Sequence, residues 1–135
     1  MRLLHPKHWS PTKGFSNGVA AEGRQVFVAG QIGTDAGQQI VDDDFVAQVE
    51  QALRNIVAVL AEADAGPEHL VRLTWYITDK PEYVARAKDV GQAYRRAIGR
   101  HFPAMTLVQV AALLDDRAKV EIEATAVVPA GGSNL

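Results

Sequence analysis

The sequence predicts an α+β protein: a single mixed sheet of about six strands with two helices packed on one face. Three observations carry this. Apolar residues recur at helical spacing over two stretches, Asp42–Ala65 and Asp79–Gly99. Strict alternation marks Leu70–Ile77 and Val120–Val128 as strands. The order of elements interleaves strands and helices within 135 residues, which is one domain, assigned to 1–128, with a flexible tail over 129–135.

From the N-terminus, Met1–Leu4 is a short edge strand closed by Pro6, and Ser10–Gly18 is a loop punctuated by Pro, Gly and Asn. Phe15 sits inside that loop, where the residues alone read as a large apolar group tucked under it as local core. Val19–Ala21 and Gln25–Ala29 are expected to form a hairpin turned at Glu22–Gly23, and Gly30 marks a bulge or a close backbone approach. Asp42, Asp43 and Asp44 open the first helix; three consecutive carboxylates point in different directions, so they make a cap rather than a metal site. Phe45, Val49, Leu53, Ile56, Val57 and Leu60 form the helix stripe, with Gln48, Glu50, Gln51 and Arg54 off it. Gly66–Pro67 ends the helix near Ala65.

In the strand Leu70–Ile77, Val71, Leu73, Trp75 and Ile77 are read as the apolar face, with Arg72, Thr74 and Tyr76 opposite. Asp79, with Glu82 three residues on, caps a second helix whose buried stripe is Tyr83, Ala87, Val90, Tyr94 and Ile98. Two further strands follow. Met105, Leu107 and Gln109 share one face of the first; Val120, Ile122, Ala124 and Ala126 form the core face of the second. Helices covering one side of the sheet leave the other open, with the expected inventory Arg72, Thr74, Tyr76, Met105, Leu107, Gln109, Glu121, Glu123 and Thr125. Such a face meets a partner.

Composition excludes several function classes. There is no cysteine, hence no disulfide, thiolate zinc site or thiol nucleophile. A net charge of -2 makes nucleic acid an unfavoured partner. No apolar run reaches the ~20 residues of a membrane span, and the N-terminus lacks a signal-peptide core, so a cytoplasmic protein without membrane contact is expected. No phosphate-binding glycine motif occurs. His5, His8, His69 and His101 lack partners at metal-ligand spacing, and the serines lack a His–acid pattern, so neither a metal, nor another cofactor, nor acyl-transfer chemistry is expected.

F-P-A-x-x-x-V-x-V-A from Phe102, followed by V-E-I-E-A-x-A-V from Val120, resembles the C-terminal signature of the YjgF/RidA family of reactive-intermediate deaminases. V-F-V-A-G-Q-I-G (Val26–Gly33), Q-A-L-x-N-I (Gln51–Ile56) and V-R-L-T-W-Y-I-T-D (Val71–Asp79) extend the likeness over nearly the whole chain. The resemblance implies a chorismate-mutase-like homotrimer with small-molecule pockets between subunits. It also implies hydrolysis of enamines or imines, without a cofactor. Carried onto this sequence, it points to Phe15, the backbone at Gly30 and Gln31, Gly91, Met105, Leu107 and Gln109 as pocket residues, and to Glu121 as the group that positions or deprotonates water.

Two departures bear on specificity. Deaminases of the family carry Arg directly after F-P-A, where this chain has Met105; some carry a side-chain amide where it has Gly91. An arginine fork grips a substrate carboxylate with two bonds, and a thioether cannot. Lys13, Arg24, Arg72 and Arg100 are the candidate substitutes, Arg72 from the adjoining sheet face. The leading expectation is therefore a deaminase-like hydrolase of altered specificity, on an aminomuconate-type enamine rather than a short 2-imino acid. A non-catalytic small-molecule-binding or regulatory trimer is the alternative. Under it Glu121 is an interface carboxylate paired with Arg72, Lys119 or a base of another subunit, and Gln109 satisfies interface backbone groups.

Overall fold

A computed structural model describes residues 1–131. Six strands are present: β1 (Arg2–Leu4), β2 (Gly18–Ala20), β3 (Arg24–Gln31), β4 (Leu70–Ile77), β5 (Ala104–Gln109) and β6 (Val120–Val128). They divide into two hydrogen-bonded sets rather than one six-stranded sheet. β3, β6, β4 and β5, in that spatial order, make a mixed sheet, and β1 and β2 pair as a separate ribbon. The expected hairpin at Glu22–Gly23 does not form. β2 pairs with β1 and β3 pairs with β6, both antiparallel. Gly23 instead makes a sharp link: its φ is +147°, and a Cβ there would run into the Val128 carbonyl.

Three helices cover one side. The first, α1 (Phe45–Glu62), begins at Asp44, whose carboxylate accepts from the Ala47 amide at 2.9 Å. It ends at Glu62, short of the expected Ala65. The second predicted helix is broken in two, α2 (Lys80–Ala85) and α3 (Ala87–Ala97), at Arg86, whose φ/ψ of -105°/17° lies off the helical basin. The Arg86 guanidinium explains what holds the break: it pairs with Asp89 and, across the fold, with Asp44, each at 3.0 Å. Asp79 caps α2 through the Glu82 amide at 3.1 Å. β4 and β5 are parallel, and α2 and α3 supply the crossover that parallel neighbours require.

The core lies between sheet and helices. Leu73, Trp75 and Ile77 of β4 meet Val120, Ile122, Ala124 and Ala126 of β6 beneath Phe45, Val49, Leu53, Ile56 and Leu60 of α1. A register shift between Leu70 and Arg72 turns Leu70, not the expected Val71, into the core. Tyr94 stacks between Trp75 and Phe102, and its hydroxyl donates to the His101 carbonyl at 2.6 Å. Burial raises its pKa well above the ordinary tyrosine value. Residues 132–135, most of the expected tail, lie outside the described residues.

Gln48 is the largest departure from the helical-stripe reading. It is fully buried, and its amide bonds three backbone groups. Nε2 donates to the carbonyls of Asp42 at 2.9 Å and Arg117 at 3.1 Å, while Oε1 accepts from the Lys119 amide at 2.8 Å. Gly33 packs directly on it; a Cβ there would lie 2.7 Å from Gln48 Cα. Gln48→Leu leaves those three groups without a partner, and the expected loss is about 2–4 kcal/mol. Urea denaturation checks this; an unchanged midpoint would show that the anchor contributes nothing.

Glu50 holds Arg54 at 2.7 Å and Arg96 of α3 at 2.8 Å, and the bond from Arg96 lowers its pKa below the ordinary 4.5. The associated stability is present above about pH 4.5 and is lost as pH falls through the depressed value. Glu50→Gln should therefore flatten the acid side of the stability–pH curve while leaving its slope above pH 6 unchanged. Parallel acid limbs in wild type and variant would refute that.

Candidate functional site

The strand registers sort the predicted site residues onto two faces. Across β4 and β6, Tyr76 pairs with Glu121, Thr74 with Glu123 and Arg72 with Thr125, all on the side away from the helices. Across β4 and β5, Leu73 pairs with Met105, Trp75 with Leu107 and Ile77 with Gln109. Leu73, Trp75 and Ile77 are core residues, and register partners share a face. Met105, Leu107 and Gln109 therefore lie on the helix side, and Met105 and Leu107 pack against the core. This corrects the expected inventory of the open face, from which these three drop out. Ala104, Thr106 and Val108 take their place, joined by Phe27, which pairs with Thr125 and is 71% exposed. Arg72, paired with Ala104 and Thr125, shares the face of Glu121 and not that of Met105.

Glu121 is half-buried on the open face, and its seat is made by β3. The β3–β6 register slips between Val28 and Gln31, so Ala29 and Gly30 form a bulge opposite Glu123. The Glu121 carboxylate rests where a Gly30 side chain would be; a Cβ at Gly30 would collide with Oε2. Gln31 Nε2 closes the bulge locally by donating to the Ala29 carbonyl at 3.1 Å. No ion pair joins Glu121 to Arg72 or Lys119 among the described residues. The neighbouring Glu123 accepts from the Tyr76 hydroxyl at 2.8 Å, which raises the tyrosine pKa.

The remaining predicted residues cluster near β5 or serve the fold. Gln109 Oε1 accepts from the Lys80 amide at 2.7 Å, so it caps the first residue of α2. Phe15 is 39% exposed and not tucked into local core. Its neighbour Ser16 donates from Oγ to the Phe102 carbonyl at 2.6 Å and from N to the Pro103 carbonyl at 3.0 Å. That pins Phe15 to the start of β5, one bridge away from Met105. Gly91 lies on α3, and the group nearest the space beside it is Arg95, with Nη1 3.8 Å from a Cβ placed there. The predicted residues thus fall into two separate groups: Glu121 with Gly30 on the open face, and Met105, Leu107 and Phe15 along the β5 edge. Arg95 and the Tyr76–Glu123 bond escaped the sequence reading. The i,i+4 spacing of Gly91 and Arg95 was the available signal for the first. Cross-strand register, which decides the second, is not written in one strand. Among the described residues no His, Asp and Glu cluster could hold a metal ion, and no helix is long and apolar enough to cross a membrane.

A helix-backed mixed sheet whose side away from the helices carries the seated Glu121 carboxylate defines the chain as an α+β protein. A family model described as Endoribonuclease L-PSP matches residues 6–128, and the chain belongs to that family, which includes the YjgF and Rid proteins. Protein DfrA of Myxococcus xanthus is 40% identical over 110 residues, covering 78% of this chain and 77% of that protein. The 2-iminobutanoate/2-iminopropanoate deaminase of Capra hircus is 35% identical over 105 residues, 77% of this chain and 73% of the enzyme. The crystal structure of the Rid-family protein YyfB of Yersinia pestis, of unknown function, superposes with a TM-score of 0.83 at 32% identity, covering 94% of this chain and 98% of that one. Imine deaminases are thus among the relatives.

Gly30→Ala is expected to push the Glu121 side chain out of its seat and to destabilise the fold by about 1–3 kcal/mol through overpacking. Combining it with Glu121→Ala removes the obstruction, so the double variant should be more stable than the sum of the two single effects allows. Strictly additive effects in chemical denaturation would show that the two groups do not meet.

Proposed function

We propose that this protein is an enamine or imine hydrolase of altered specificity, acting on a longer conjugated enamine of the aminomuconate type rather than on a short 2-imino acid. The observation that carries this reading is the half-buried Glu121 carboxylate, unpaired and seated against Gly30 on an uncovered face, in a family whose relatives include imine deaminases. The reaction asks little else of the chain. The enamine tautomerises to the imine by taking a proton on carbon. Glu121 takes a proton from water as its oxygen adds to the C=N carbon, and returns it to nitrogen. The same carboxylate then carries the carbinolamine hydroxyl proton to nitrogen, and the C–N bond breaks as the C=O bond forms, leaving a carbonyl compound and ammonia.

Glu121 and Met105 sit on opposite faces of one sheet, so a pocket containing both requires two copies. The open face of one copy supplies Glu121 and Gly30; the β5 edge of the next supplies Met105, Leu107 and Phe15. A homotrimer closes such an arrangement while covering Phe27 and Val108, the exposed apolar groups of the open face. The non-catalytic binding trimer remains the second reading, favoured by Met105 standing where a cation would anchor substrate and by Gln109 being committed to α2.

Ammonia release from a panel of enamines tests the choice. Wild type should hydrolyse a long conjugated enamine and Glu121→Gln should lose about 10²-fold or more. Hydrolysis of 2-iminopropanoate should run about one to two orders of magnitude below an arginine-bearing relative. No ammonia from any substrate, with ligand binding intact, would favour the binding protein. Light scattering giving a monomer near 14.6 kDa would remove the shared pocket.

A further inference from the structure

We propose that Arg95 is the substrate-anchoring cation of this site, and that it selects enamines carrying a carboxylate several bonds away from the reacting C=N carbon. The inference rests on the hydrolase reading above and adds to it the group that reads the substrate.

The position of Arg95 follows from helix geometry. α1 lies over β3 and β6, while Tyr94 of α3 stacks on Trp75 of β4 at 6.5 Å and on Phe102, just before β5, at 5.3 Å. α3 therefore covers the β4–β5 half of the sheet. Arg96 points back toward α1, where Glu50 takes its Nη2 at 2.8 Å. Successive helical residues are rotated by about 100°, so Arg95 and Gly91 fall on the flank of α3 turned away from α1. That flank overhangs the β5 edge, the strand whose helix side bears Met105 and Leu107. The missing side chain at Gly91 leaves that flank open, and Arg95 Nη1 is the group nearest to it.

Arg95 is also uncommitted. Arg54 and Arg96 share Glu50, Arg86 bridges Asp44 and Asp89, and Arg117 pairs with Asp43. Arg95 makes no ion pair among the described residues. A guanidinium fork without a carboxylate partner, on the helix flank over an apolar strand edge, is suited to bind one. A cation on α3 stands farther out than one on β5 would. The apolar pair Met105 and Leu107 then lies between anchor and water-activating group, matching a hydrocarbon stretch between carboxylate and C=N carbon.

The test uses the intact oligomer and an enamine dicarboxylate with one remote carboxylate, beside its remote amide and 2-iminopropanoate. Arg95→Gln should lower kcat/KM for the dicarboxylate at least tenfold, mostly through KM, and leave the amide unchanged; Arg95→Lys should recover part of the loss. Met105→Arg with Arg95→Gln should shift preference toward 2-iminopropanoate. Arg54→Gln, which removes a charge committed to Glu50, should leave the preference unchanged and so controls for net charge. Equal losses on dicarboxylate and amide, or no loss on either, overturn the assignment of Arg95 while leaving the hydrolase reading standing. If wild type hydrolyses nothing, calorimetry with the corresponding saturated dicarboxylate decides. Binding that weakens tenfold in Arg95→Gln keeps the anchor and removes the hydrolase. Binding insensitive to Arg95→Gln, or no binding by wild type, removes both.

Discussion

A single buried amide holds together the parts of this fold that have no hydrogen-bonded ladder in common. Gln48 joins Asp42, two residues ahead of the α1 cap, the link between β5 and β6, and the amide of Lys119 at the threshold of β6. A buried polar group is tolerable only when all its capacity is used, and here both ends of the amide are occupied. The consequence reaches the site. Lys119 sets where β6 begins, and the β6 register decides that Val120 and Ile122 enter the core while Glu121 faces outward. A slip of one residue would bury the carboxylate and expose the isoleucine.

Asn55 does comparable work two turns farther along α1. Its Nδ2 donates to the carbonyls of Ile32 at 3.1 Å and Thr34 at 2.9 Å, and Gln51 orients it from one turn earlier. The chain leaving β3 is thereby tied to the helix just beyond the bulge that seats Glu121. The polar residues of α1 are not all a solvated face; Gln48, Gln51 and Asn55 form a second stripe that clamps the irregular segments on either side of the sheet.

The period of two in a strand also explains why the predicted site residues are divided between two faces. β4 presents Leu73 and Trp75 to the helices and Thr74 and Tyr76 to the open side, and its parallel neighbour β5 must follow the same alternation. Met105 can reach the open face only at the sheet edge, where β5 has no further partner in the described sheet. Chemistry that draws on both faces therefore belongs at an edge. There the Phe15 loop is pinned to the Phe102 carbonyl, and the Phe102 ring stacks on Tyr94 of α3.

The sequence by itself determined that the Asp42–Asp44 run opens α1, that Asp79 caps α2, which face of β6 enters the core, and that Glu121 points outward. Each follows from local chemistry or from alternation within one segment, which needs no knowledge of neighbours. Only the tertiary structure decided which strands pair. It placed β2 beside β1, set β6 between β3 and β4, and turned Met105, Leu107 and Gln109 toward the helices. A strand's own pattern says that its faces differ but not which face its neighbour shares. Met105 and Gln109 were grouped with Glu121 because the β5 pattern is apolar on both sides and gives no sign of its orientation. The same holds for Gln48, polar by type and buried by place: its burial follows from three backbone groups distant from or flanking it, and only the assembled fold brings them within reach.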